Sequence, residues 1–374
     1  MEIKNLERAA NRILEAVNNK ERIILYGDSD LDGICSVIIL KETISNLGGK
    51  VELVYFPNRE VEGYGISEKA VLQLKKFSPA LFISLDCGIS NFKEIETLKS
   101  YGFYVIVIDH HEILDELPGA DIIVDPKQKD DKYPFKELAT VGITFKLAEK
   151  LLANKMGSSL RKSFLELVAL ATLADMMPQV KDNKILTEEG LEYLKNSWRP
   201  AFQVFSKMFT LPKEISKVIS ILNVREIENN VPFQYSLFVE SDFKKVQELI
   251  GMAIEKSKKR KVEIENIVSE IESRLKGDTQ IIFEGGLTWN FALISAVASQ
   301  LCQRYKKPTF IYKVFGKEAQ GTVRTPEGID SVRLMKRCKD LLISFGGHPQ
   351  ASGFRVRTEN LEKLKACLIK HLNL

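Results

Sequence analysis

The chain has 374 residues, 44% of them hydrophobic and 28% charged, which excludes a disordered or fibrous class and suits two or three packed domains. Its formal net charge of +4 is only mildly basic, so any anionic partner must be argued from local sites rather than from overall charge. No apolar run is long enough to span a bilayer and Met1 to Leu6 opens no secretory leader, so the expectation is a cytoplasmic protein without a membrane partner.

In chain order, strands are predicted near 21–27, 51–56, 80–85 and 103–108, with helices near 34–47, 67–76 and 91–100. That alternation predicts an α/β fold whose parallel sheet is covered on both faces. From Ala139 to about Leu222 the apolar spacing, as in Phe164, Leu165, Leu167, Val168, Leu170 and Ala171, predicts a helical half backing the sheet. Residues 243–276 form one Lys- and Glu-rich helical pattern without Pro, suited to a connector. After Gly277-Asp278 the pattern restarts with a strand over 279–284, a helix over 289–303, strands near 308–313 and 319–324, and a last strand and helix from 352. This is a smaller C-terminal α/β domain. The five cysteines, Cys35, Cys87, Cys302, Cys338 and Cys367, are scattered and odd in number, which predicts reduced thiols rather than a disulfide framework.

The stretch Tyr26-Gly-Asp-Ser-Asp-Leu-Asp-Gly33 spaces three acids as a calcium loop does, but Ile39 stands where that loop needs a bidentate Glu, and a strand precedes it where a helix is required. Three apolar strands instead end in acid: "RIILYGDSDLDG", "ALFISLDCGIS" and "FYVIVIDHHE". Ligands of open parallel sheets bind beyond the carboxyl ends of the strands, so Asp28, Asp30, Asp32, Asp86, Asp109, His110 and His111 are expected on one rim. Asp175, at the end of the apolar helix "FLELVALATLAD", joins them if that helix packs on the sheet. Bare carboxylates so gathered repel one another, and two divalent cations would neutralise most of the charge. Oxygen ligands with imidazole suit Mn first and Mg second, better than a thiolate-rich zinc site. Paired ions about 3.5–4 Å apart are a device for phosphoryl hydrolysis, with Asp86 the candidate bridge. Taken singly, a strand-end Asp is ordinarily a helix cap or turn residue and a His pair ordinarily structural. Receiver domains also carry acids after their first and third strands, but they leave His110-His111 unexplained.

Asp109-His110-His111 resembles the signature of the DHH phosphoesterase superfamily. Gly27 to Gly33 is similar to its first motif as written in RecJ-type exonucleases, Asp86-Cys-Gly-Ile89 to the second, and Leu170 to Pro178 to the fourth. Lys259-Arg-Lys261, the stretch from Trp289, and Gly346-Gly-His-Pro-Gln-Ala-Ser-Gly353 resemble the connector and DHH-associated domain, so the resemblance covers nearly the whole chain. It implies a DHH catalytic domain over 1–200, a helical connector over 201–276, and a DHH-associated substrate-binding domain over 277–374, without the OB-type domain of bacterial RecJ. It also implies that Asp28, Asp30, Asp32, Asp86, His110 and Asp175 hold metal, that His111 contacts the scissile phosphate or leaving group, and that Asp109 orients His110. Tyr26 stands where some relatives place a ligating His.

On the substrate side, the paired glycines Gly346 and Gly347 read either as a turn before a strand or as a place where backbone approaches a ligand, with His348 as a phosphate donor. Arg324 is either a surface Arg at a strand end or a bidentate phosphate contact. The run Lys256, Lys258, Lys259, Arg260, Lys261 is either a solvated helix face or the lining of a groove for a single strand. The resulting expectation is a hydrolase: a single-strand-specific exonuclease in DNA repair or replication, acting from one end of DNA, with the resemblance favouring 5′-to-3′ and with RNA or the opposite polarity as the alternative, beside a helicase or replisome partner. A DHH phosphodiesterase of short oligonucleotides or small nucleotides, and a non-catalytic RecJ-like scaffold, are the alternatives.

Overall fold

The computed structural model describes residues 2–113, 116–223, 227–275, 277 and 279–372. The chain divides into two compact units, Met1–Ser257 and Lys258–Leu374.

In the first unit, helix α1 (Leu6–Asn18) buries Leu6, Ala9, Ala10, Ile13 and Ala16, one apolar stripe at helical spacing. Strand β1 (Ile23–Gly27) and helix α2 (Leu31–Asn46) follow, then strand β2 (Val51–Tyr55), the single turn α3 (Arg59–Glu62) and helix α4 (Glu68–Leu74). Strand β3 (Leu81–Leu85), helix α5 (Phe92–Ser100), strand β4 (Tyr104–Ile108) and strand β5 (Ile122–Val124) complete a sheet of order β2-β1-β3-β4-β5. Every pair in it is parallel.

Alternation along the strands sorts side chains to two cores. Ile23 and Leu25 pack with Ile83, Ile106 and the helices α1 and α2, whereas Ile24 and Tyr26 pack with Phe82, Val105 and α4 and α5. Two covered faces explain why these strands read as continuous Ile, Leu and Val. Truncating one such residue, for example Leu25→Ala, removes about 2–5 kcal/mol of stability. Helices α6 (Thr140–Leu152) and α7 (Ser158–Ala174) are the start of the helical half, and both contribute to the larger core. A hairpin of β6 (Ile227–Glu228) and β7 (Val231–Pro232) lies in the same unit.

A helix of 32 residues, Phe243–Arg274, spans the division between the units. Its expected end at 276 lies outside the described residues, as does Asp278. The second unit holds a mixed sheet of order β11-β12-β10-β9-β8. Strand β8 (Ile282–Gly286) runs parallel to β9 (Thr309–Phe315), and β9, β10 (Glu318–Arg324), β12 (Ala351–Arg357) and β11 (Leu342–His348) pair antiparallel.

Among the described residues, several elements escape the sequence reading, the short α3, β6 and β7 among them. α1 lies before the first strand read. β5 is three residues long, the helix Ser331–Lys336 is six, and β11 is half-exposed and carries two glycines. Gly346 and Gly347 therefore sit inside a strand and not in a turn before one. The expectation of reduced thiols is also corrected: Cys338 and Cys367 form a disulfide across a separation of 29 residues, while Cys35, Cys87 and Cys302 are free and buried. The pair was hidden because only the fold brings the end of the helix Ser331–Lys336 beside the helix Leu361–Leu372. Among the described residues no helix is long and apolar enough to cross a membrane.

Candidate metal centre

Parallel strands deliver their carboxyl ends to one edge, so Asp28 follows β1, Asp86 follows β3, and Asp109-His110-His111 follows β4. Asp30 caps α2, its carboxylate accepting from the N–H groups of Asp32 (3.1 Å) and Gly33 (3.3 Å). Gly33 is required here, because a Cβ would come within 2.4 Å of the Asp28 carbonyl oxygen. Asp32, only 1% exposed, accepts from the N–H groups of Thr140 (2.9 Å) and Val141 (2.7 Å), so its carboxylate sits on the positive end of α6. Asp86 has φ of 63°, a left-handed conformation that costs strain in any residue but Gly. The Thr140 hydroxyl donates to Asp86 Oδ1 at 3.1 Å. Asp175 is the last, capping residue of α7.

These side chains converge. Ligand atoms of Asp28, Asp30 and Asp86 lie within 4.8 Å of one another, as do those of Asp32, His110 and Asp175. His110, 1% exposed, joins the groups: its Nε2 lies 3.3 Å from Asp86 Oδ1, 3.6 Å from Asp175 Oδ2 and 3.7 Å from Asp32 Oδ2. Burial, reinforced by Asp30, pushes the Asp32 carboxyl up to about 7. Burial and the neighbouring acids, Asp32 first, raise Asp86 and Asp175 well above the carboxylate range. A cluster that resists ionisation alone is stabilised by divalent charge, and its carboxylate and imidazole donors fit Mn or Mg.

Asp109 behaves differently. Burial alone would raise it, but the His111 imidazole and a set of N–H donors hold it below the usual carboxylate range. Those donors are Ile89 N (3.1 Å), His110 N (2.8 Å) and His111 N (3.2 Å). Its Oδ1 also lies 2.7 Å from His111 Nδ1. The ring that Asp109 orients is thus that of His111, and the carboxylate meets His110 through that residue's backbone N–H. The Tyr64 hydroxyl lies 3.0 Å from His111 Nε2 and 3.2 Å from Nδ1.

Sequence reasoning missed two residues, Arg59 and Tyr64, because nothing in the pattern after β2 marks a site. The Arg59 Nε donates to Asp28 Oδ1 at 2.8 Å, its Nη2 donates to Asp30 Oδ2 at 3.0 Å and pairs with Asp28 Oδ2. Glu62 shapes the segment, accepting from Tyr55 Oη (2.9 Å), Ser67 Oγ (2.6 Å) and Asn58 N (3.1 Å). Tyr26 is turned into the core against this same segment, its hydroxyl donating to the Gly65 carbonyl at 2.9 Å and its ring stacking on Tyr55.

In the second unit, Arg324 ends β10 opposite Ala351, which is itself opposite His348 at the end of β11. Arg324, Gly346, Gly347 and His348 therefore share one end of that sheet. Gly347 has φ of 125°, and a Cβ there would meet Ala351 O at 2.7 Å. The Arg324 guanidinium donates to Thr322 Oγ1 (3.0 Å), Val323 O (2.8 Å) and Ser295 Oγ (3.1 Å).

Residues 22–172 match the DHH family, N-terminal domain, and residues 277–373 match the DHHA1 domain. The chain carries a DHH domain and a DHHA1 domain. Among curated relatives, the single-stranded-DNA-specific exonuclease RecJ of Bacillus subtilis is 32% identical over 98% of this chain and 48% of its own length. RecJ of Thermus thermophilus is 28% identical over 94% of this chain and 52% of its own length. The chain thus spans about half the length of these relatives. Two solved structures share the fold: an exonuclease RecJ bound to manganese (TM-score 0.80, 24% identity, 100% of this chain and 96% of that one) and RecJ of Thermus thermophilus with Mn2+ (TM-score 0.86, 24% identity, 100% and 55%).

Proposed function

We propose that this DHH protein is a metal-dependent exonuclease that hydrolyses phosphodiester bonds from an end of single-stranded DNA. The observation that carries the reading is the convergence of Asp28, Asp30, Asp32, Asp86, His110 and Asp175 at one sheet edge, in a chain 32% identical to a single-stranded-DNA-specific exonuclease. Asp28, Asp30 and Asp86 would hold one divalent cation, and Asp32, His110 and Asp175 a second, with Asp86 Oδ1 3.3 Å from His110 Nε2 of the second group. Such ions, when bound, lower the pKa of water and stabilise negative charge on phosphorus oxygens.

The chain's own residues set the rest. Asp109 holds His111 in one orientation, so this 21%-exposed side chain presents an imidazole to a phosphate or leaving-group oxygen at the rim of the cluster. Thr140 and Val141 keep the Asp32 carboxylate on the α6 N-terminus. Catalysis resides in residues 1–200, and the DHHA1 region over 277–374 anchors the strand through Arg324, Gly346, Gly347 and His348, after the connector 201–276. Flanking cations on the helix Phe243–Arg274, among them Lys259 and Lys261, track the phosphate backbone.

The test is digestion of 5′-labelled and 3′-labelled single-stranded DNA and RNA in Mn2+, with a dinucleotide and a duplex alongside. A ladder of mononucleotide products from one end of the DNA is expected. Turnover of the dinucleotide alone would replace this reading with a short-oligonucleotide phosphodiesterase, and DNA binding without cleavage would replace it with a scaffold.

A further inference from the structure

Arg59 lies among acids that the proposed function gives to a cation. Asp28 is 0% exposed and both its oxygens face the Arg59 guanidinium, through Nε at 2.8 Å and through Nη2. The same Nη2 donates to Asp30 Oδ2 at 3.0 Å. The other Asp30 oxygen accepts from the α2 N-terminus, so both Asp30 oxygens are engaged. A guanidinium keeps its charge at every accessible pH and its planar fork matches a carboxylate edge-on. It is a permanent counter-charge, bound where a divalent ion would have to take oxygen from Asp28 and Asp30.

The two acids hold Arg59 unequally. Asp28 is buried and engaged side-on by two nitrogens, whereas Asp30 has a side chain 36% exposed and contributes one oxygen. In the second group, Asp32, His110 and Asp175, the contacts on Asp32 are of another kind: the Thr140 and Val141 amides donate to its two oxygens and bring no cationic side chain to the site. Resting on the metal-centre reading, we propose that Arg59 is a built-in competitor for the cation position formed by Asp28, Asp30 and Asp86. It holds that position closed when no ion is present, yields Asp30 when one binds, and makes this position the weaker of the two. The fork on Asp28 persists, so Asp28 anchors Arg59 rather than contributing fully to the metal.

The test is calorimetric titration of MnCl2 into the EDTA-stripped full chain, with thermal unfolding measured before and after. Wild type is expected to take up two ions of unequal affinity. Arg59→Gln is expected to bind the weaker ion at least tenfold more tightly and the stronger one unchanged. Its metal-free melting temperature should fall, because Asp28 loses its partner, and its rise on adding Mn2+ should exceed that of wild type. Arg59→Lys, which keeps the charge and loses the fork, should lie between and supplies the comparison if the Gln variant does not fold. Weaker-site affinity that stays level or declines in the folded variants overturns the proposal. Absence of Mn2+ uptake by wild type overturns the metal-centre reading instead.

Discussion

Thr140 and Asp86 are joined by a 3.1 Å hydrogen bond from the hydroxyl to Oδ1, and the Thr140 N–H donates at 2.9 Å to Asp32. One residue at the start of α6 thus fixes an acid from the first turn of α2 and an acid from the end of β3. Thr140→Val keeps the backbone bond and the shape while removing the hydroxyl. The expected outcome is a loss of about 1 kcal/mol in urea unfolding and roughly tenfold weaker Mn2+ binding, since partners of metal ligands commonly contribute that much. Unchanged Mn2+ affinity in a titration would show that the Asp86 carboxylate is placed without Thr140.

Asp86 also adopts φ of 63°, belongs to one group of ligand atoms and has its Oδ1 3.3 Å from His110 Nε2 of the other. Asp86→Ala and Asp30→Ala should each lower hydrolysis of end-labelled single-stranded DNA by about a thousandfold or more, as expected when a group stabilising transition-state charge is removed. Circular dichroism should be unchanged for Asp86→Ala, because removing one of several repelling carboxylates relieves the metal-free fold. Retained cleavage by either purified variant would displace that acid from the site.

The legible part of this molecule was the part fixed by periodicity. Continuous apolar strands ending in Asp28, Asp86 and Asp109 announce a doubly covered parallel sheet and one acidic rim, because strand direction alone decides where those acids go. Asp175 was legible through the apolar helix that ends on it. What escaped depends on loops and long-range packing. Arg59 and Tyr64 reach the rim on a segment shaped by Glu62, Ser67 and Tyr55, and no local pattern encodes that clamp. The orientation of Asp109 toward His111 follows from N–H groups supplied by Ile89, His110 and His111, which sequence cannot place. Gly346 and Gly347 hid β11, because two glycines weaken any strand signal.

Tyr26 gives a sharper case. It stands where some relatives place a ligating His, but its side chain is spent in the core, packed against Tyr55 and Phe82. Tyr26→Phe should lose the 2.9 Å bond to Gly65 O, at a cost of about 1–2 kcal/mol, and leave Mn2+ affinity unaltered. Denaturant unfolding beside a metal titration separates the two effects, and a shift in metal affinity would place the phenol in the metal centre after all.

Asp125 supplies a pH dependence outside the proposed ligands. It follows β5, is 0% exposed, and its Oδ1 accepts from Lys127 N at 2.7 Å, while Oδ2 is buried without a hydrogen-bond donor among the described residues. Burial, with Asp109 adding to it, pushes this carboxyl from 3.8 up to about 8. An acid that holds its proton more tightly when folded stabilises the fold fully below its unfolded value near 4. That contribution is lost as pH rises through about 8, because the buried side chain must then ionise. Each tenfold change in proton affinity is worth about 1.4 kcal/mol, so the loss amounts to a few kcal/mol. Asp125→Asn keeps an oxygen for the Lys127 N–H and cannot ionise. In urea unfolding with EDTA at pH 5, 7 and 9, wild type should therefore lose stability relative to the variant at each step. A difference between the two proteins that stays constant across the series would mean that Asp125 ionises in the folded chain as readily as in the unfolded one.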